Sequence, residues 1–172
     1  MRWLWIDRFL EFRSGEFARA IKNVSMAEEQ LRDHFPGYPI MPGSLIIEGM
    51  AQTGGILVAE AKEFKEMVVL AKLSRVEFSD TALPGDQITY EARLTELRDE
   101  GAAAEVKAFV NGRPLASAEI VFGHVSRRAG SAPMIDRYNS FREEWMDMLG
   151  VPRRAESCAS PVGPAPAGAV PN

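Results

Sequence analysis

With 172 residues, 46% of them hydrophobic and 26% charged, the chain has the size and composition of one ordinary globular domain with a short appendage. A net charge of −4 gives no basic field for nucleic acid, and a single cysteine, Cys158, allows neither an intrachain disulfide nor a cysteine-built metal centre. The opening "MRWLWIDRFLEFRSG" is broken by charge too often for a signal peptide, and no apolar run reaches the roughly 18 residues that cross a bilayer, so a soluble cytoplasmic protein is expected.

Residues 3–12 are aromatic and branched, Ser14-Gly15 reads as a turn, and residues 17–24 follow as a second strand, which together predict a hairpin. "MAEEQLRD" reads as a short polar turn of helix. The next stretch, "HFPGYPIMPG", holds three prolines and two glycines and can be neither regular helix nor central strand. Residues 44–65 lack proline and are apolar on nearly all sides up to Val58, the pattern of a buried helix. Its glycines, Gly49, Gly54 and Gly55, each cost about 1 kcal/mol against alanine, so the helix backbone is expected to lie close against a sheet or a ligand.

The rest is strand after strand. Residues 68–78 form one, Ile88, Tyr90, Ala92 and Leu94 alternate with polar neighbours in the next, and Ala104, Val106, Ala108 and Val110 alternate in a third. Asn111-Gly112 is a hairpin turn leading into residues 115–125. These four strands are expected to form an antiparallel meander beside the helix, class α+β. Beyond Ser126, "RRAGSAP" reads as a linker, and Ile135, Tyr138, Trp145 and Met148 recur at helical spacing before Gly150 and Pro152. The expected layout is a domain over 1–125, a linker over 126–133, an amphipathic helix over 134–150, and a compositionally disordered tail over 151–172.

Within "HFPGYPIMPGSLIIEGMAQ", Glu48 stands among Leu45, Ile46, Ile47 and Met50, where a lone ionised carboxylate would be costly. A carboxylate there is paired or used for chemistry, and His34, fourteen residues earlier, supplies an imidazole, a side chain suited to work as a general base. The full stretch, with the later "LPGDQ" and the earlier "WIDRFLEF" and "AIKNVS", resembles the hot-dog-fold (3R)-3-hydroxyacyl-acyl-carrier-protein dehydratases of the FabZ type over residues 5–125. The resemblance implies a long central helix wrapped by an antiparallel sheet. It also implies dehydration of a 3-hydroxyacyl thioester on an acyl carrier protein to the trans-2-enoyl thioester, in fatty-acid synthesis.

Carried onto this sequence, the catalytic pair is His34 as base and Glu48 as acid, with the histidine of one subunit facing the carboxylate of the other in a homodimer, and trimers of dimers as a further assembly. Gly43, just ahead of the helix, is expected to offer its N–H to the thioester oxygen. No metal or organic cofactor is implied. Gln52, one turn after Glu48, either supports the site or caps an internal polar group. Met41, Ile46, Met50 and Phe78 are candidates to line an acyl tunnel, with core packing as the alternative for each. His124 is read as structural.

The run Phe78-Ser79-Asp80-Thr81 departs from the family's phenylalanine followed by basic residues, which weakens the expected attraction for an acidic carrier. Two other readings therefore stand beside the first. One is a hydratase, dehydratase or thioesterase acting on CoA or polyketide thioesters. The other is a non-catalytic subunit that binds acyl chains.

Overall fold

The computed structural model describes residues 4–125 and 146–151. The expected linker over 126–133, most of the appended helix and all of the tail but Val151 lie outside the described residues.

Strands β1 (Arg8–Arg13) and β2 (Phe17–Asn23) form the predicted hairpin, turned at Gly15 with φ +67. Residue 3 lies outside the described residues, and residues 4–7 are not in the strand: Trp5 gives its backbone N–H to the side chain of Gln52 at 2.8 Å. Helix α1 (Gly43–Ala61) starts after Pro42, whose ψ of 132 is extended rather than helical. It stops short of residue 65 because Glu63 and Phe64 take left-handed backbone conformations, with φ 56 and 55.

Strands β3 (Met67–Phe78), β4 (Gln87–Leu97), β5 (Gly101–Val110) and β6 (Arg113–Val125) complete one antiparallel sheet in the order β1-β2-β4-β5-β6-β3. The meander is β4-β5-β6 only. β3 is not beside β4 but pairs with β6 at the far edge, and β4 pairs with β2. The connection after β3 carries the chain back: the Val24 N–H donates to the Asp86 carbonyl at 2.9 Å, and Gly85 N–H to the Val24 carbonyl at 2.9 Å. These bonds deliver β4 beside the end of β2.

The face of the sheet toward α1 is alanine-rich. Ala20 and Ala108 flank Tyr90 across the ladder, Ala92 and Ala118 flank Val106, and Ala102 lies opposite Phe122. Small side chains there let the sheet curve closely round the helix, and the helix glycines meet the large ones. A Cβ on Gly49 would stand 2.5 Å from the Tyr90 ring, and one on Gly54 would stand 3.1 Å from that of Phe122. What the helix backbone approaches is the sheet.

Residues 146–149 are helical, and Gly150, with φ +69, ends that turn as Val151 donates its N–H to the Met146 carbonyl at 2.9 Å. Leu149 and Val151 are buried in the same core as α1. The end of the appended segment therefore packs on the domain. Among the described residues, no helix is long and apolar enough to cross a membrane.

Candidate active site

The motif divides into a loop and the first turns of α1. In the loop, Phe35 and Tyr38 exchange backbone hydrogen bonds at 2.9 Å each around Gly37, whose φ of +79 suits glycine. Ile40 donates to the His34 carbonyl at 2.8 Å, and Met41 to the Ala82 carbonyl at 2.8 Å, which ties the loop to the connection between β3 and β4. His34 is half-buried, its imidazole tilted on the Phe35 ring with centroids 4.2 Å apart. Phe35 and Tyr38 are exposed.

Gly43 is the first residue of α1, so its N–H has no acceptor within the helix. The Phe78 ring stands 3.0 Å from where a Gly43 Cβ would be, so glycine leaves room for an aromatic ring over the helix start. Phe78, at the end of β3, is 48% exposed. Met41, Ile46 and Met50 differ from it: all three are buried in the core.

Glu48 is half-buried, and its Oε1 accepts a hydrogen bond from Gln52 Nε2 at 2.9 Å. Gln52 Oε1 in turn accepts the Trp5 N–H. One amide thus accepts from a backbone donor and donates to the carboxylate. Gly43, Glu48, Gln52 and Phe78 thus gather along the first turns of the helix. His34 is not joined to them: among the described residues, no hydrogen bond or ion pair links His34 to Glu48 within one chain.

Two neighbours of this site were not foreseen. Trp5, expected in a strand, holds Gln52. Tyr90 packs beneath Gly49, the residue after Glu48, and its hydroxyl is buried without a hydrogen-bond partner among the described residues. Burial pushes the Tyr90 phenol well above the ordinary tyrosine range, and the Asp7 and Glu28 carboxylates act in the same direction. Gly49 signalled a close approach in the sequence, without saying to what.

His124 is remote in role. Its side chain is 1% exposed, and Nδ1 lies 3.0 Å from the Asp99 carbonyl and 3.5 Å from Glu66 Oε2. A carbonyl can only accept, so Nδ1 carries the proton. Asp80, the acidic residue of the altered loop, is engaged by Arg113 at 3.2 Å, and Arg75 by Glu119 at 2.7 Å. Among the described residues, no three His, Cys, Asp or Glu side chains gather as a metal centre would require.

The family model of the FabA-like domain matches residues 1–119. The 3-hydroxyacyl-[acyl-carrier-protein] dehydratase FabZ of Listeria welshimeri is 42% identical over 120 residues, covering 69% of this chain and 83% of that relative. The enzyme of the same name from Pelotomaculum thermopropionicum is also 42% identical over 120 residues, covering 69% and 86%. Solved structures share the fold. AziG of S. sahachiroi superposes with a TM-score of 0.58 at 16% identity over 70% of this chain and 91% of that one. A hypothetical thioesterase from Streptococcus pneumoniae with coenzyme A gives 0.58 at 13% identity over 71% and 90%. At such identities the structural likeness speaks for the fold alone.

Proposed function

The chain belongs to the FabA-like family, as a hot-dog dehydratase of the FabZ type, and from that membership we propose how its own residues carry the reaction. It is a hydro-lyase of fatty-acid synthesis that converts a 3-hydroxyacyl thioester into the trans-2-enoyl thioester. Neutral His34 takes the α-proton, Glu48 gives a proton to the departing 3-hydroxyl, the C–O bond breaks and water leaves as the C2–C3 double bond forms. The Gly43 N–H receives the charge that grows on the thioester oxygen.

The observation that carries this reading is the Glu48 carboxylate on the helix face, fixed by Gln52 little more than a turn from the unpartnered N–H groups of the α1 start. A carboxyl held in one orientation suits proton delivery to one atom.

The pair is completed across a homodimer, with His34 of one subunit serving Glu48 of the other. An open sheet edge supports the dimer: among the described residues β3 has β6 on one side and no strand on the other, and Val69 and Leu70 are exposed along it. Trimers of dimers remain the further assembly. The substrate arrives on an acyl carrier protein, in the cytoplasm. Asp80 stands where a carrier-docking base is expected, but Arg113 offsets its charge, so repulsion of an acidic partner is reduced. The same residue favours a second reading, activity on CoA thioesters.

The test is hydration of a crotonyl thioester, the reverse reaction, followed by absorbance on carrier-protein and CoA forms. His34→Ala and Glu48→Gln are each expected to lower kcat/KM on the carrier form at least about a hundredfold. Turnover of the CoA form alone would favour the second reading. No turnover of either by a folded dimer would favour a subunit that only binds acyl chains.

A further inference from the structure

An ionic cluster that the proposed chemistry does not use is built round the buried Lys22 at the end of β2. Lys22 is 7% exposed, and its place in the ladder opposite Ile88 turns it to the core side of the sheet, as Ala20 is. An ammonium group so enclosed needs acceptors around it. Lys22 Nζ donates to the Asn23 carbonyl at 2.6 Å and to Glu28 Oε1, and stands 3.7 Å from Asp7 Oδ1. The second Glu28 oxygen accepts from Gln30 Nε2. Asp7 Oδ2 accepts from the backbone and side-chain amides of Asn23, at 2.7 and 2.9 Å.

Glu28 begins the approach to the catalytic loop. Its carbonyl accepts the Leu31 N–H at 3.1 Å at the 3-10 turn Glu29–Leu31, Leu31 is buried, and His34 follows three residues later. Downstream of His34 the loop is fixed by the bonds from Ile40 and Met41 already described. Upstream, the prominent tethers are Leu31 in the core and the Lys22–Glu28 pair. Apolar burial fixes depth but not direction. Ionic hydrogen bonds fix both the distance and the angle of approach.

From this we infer that the pair of buried Lys22 and half-buried Glu28 is a positioning device for His34: it sets where the arm before the loop leaves the sheet, and so where the imidazole reaches. Neither residue takes part in proton transfer. The inference rests on His34 being the base, as proposed above.

The experiment uses the full-length protein and the crotonyl-thioester assay. Lys22→Met/Glu28→Met replaces the pair by two apolar side chains of similar length, so no buried charge is left unpaired. Glu28→Gln is the conservative variant, because it keeps an acceptor for Lys22 Nζ. The double variant is expected to lose at least about tenfold in kcat with KM within about threefold, and Glu28→Gln to fall between it and wild type. Amide exchange at Phe35 and Tyr38, which bond to each other within the loop, is expected to quicken at least about tenfold, with Leu57 in α1 unchanged.

A folded double variant with wild-type kcat and loop exchange overturns the inference, since a pair that only stabilises the fold would lower the melting temperature and nothing else. If the double variant does not fold, Glu28→Gln carries the test, and wild-type kcat and exchange in it overturn the inference. His34→Ala is measured alongside. Full activity in that variant overturns the catalytic reading and this inference with it. An inactive His34→Ala beside an unimpaired Lys22 and Glu28 series overturns this inference alone.

Discussion

At the scale of single residues, the contact between Gly49 and Tyr90 sets the distance of the helix from the sheet just beside Glu48. Helix propensity alone favours alanine over glycine by about 1 kcal/mol. A Cβ on Gly49 would lie 2.5 Å from Tyr90, however, so the ring or the helix would have to move. Gly49→Ala is therefore expected to destabilise by about 1–3 kcal/mol net of propensity, read as a lower denaturation midpoint. The opposite sign is expected for Tyr90→Phe, which removes a buried hydroxyl that has no partner among the described residues. Calorimetry should find it as stable as wild type or better by up to about 1 kcal/mol. Gln52→Leu keeps the volume but releases Glu48, and is expected to lower kcat about tenfold with little change in KM. The need for a close approach at Gly49 was legible in the sequence, because glycine inside a helix is costly without a reason. The identity of Tyr90 as the neighbour was not, since it depends on how β4 registers against a helix some forty positions away.

At the scale of elements, the strands and the long helix could be read locally: β4 and β5 from period-two alternation, the other strands from apolar stretches bounded by turn signals, and the helix from a proline-free stretch that is apolar on nearly all sides. What local pattern could not supply was the order of the sheet. The stretch over residues 68–78 reads as a strand but does not say which strand it joins, and the bonds between Val24 and Gly85 and Asp86 that send β4 to β2 involve a loop without periodic signal. The placement of β3 has a direct consequence for assembly. Among the described residues its outer edge has no partner strand, and Leu70 is exposed on it. Leu70→Lys is expected to weaken the proposed dimer at least about tenfold in sedimentation analysis, a charge on an edge strand being a known obstacle to edge-to-edge pairing. Activity should fall with dilution in step with dissociation.

At the scale of the whole molecule, the proposed sharing of the site, with His34 from one subunit and Glu48 from the other, is testable without a crystal. Mixed and reassorted from monomers, His34→Ala and Glu48→Gln subunits would form hybrids with one site that carries both lesions and one that carries neither. Activity should return to roughly a quarter of wild type for random reassortment, from two nearly inactive parents. No recovery after proven subunit exchange would place both groups in one chain. The long motif made the two residues legible in the sequence, but the subunit that supplies each rests on the resemblance, as geometry between copies leaves no local trace in a sequence.

The strand order also bears on how the molecule comes into being. β2 pairs with β4 from Phe17↔Arg93 to Asn23↔Gln87, so the sheet closes only after α1 and β3 have been made and the chain has turned back. Pairings so distant in sequence are slow to form, on the order of milliseconds to seconds for topologies rich in them. Until β4 leaves the ribosome, the apolar α1 has only the β1–β2 hairpin and a β3 still without its partner β6 to lie against. A nascent chain arrested before Gln87 is thus expected to expose its helix and to be a ready client for chaperones, and release of the strands that follow, β4 to β6, rather than the helix itself, is what ends that exposure.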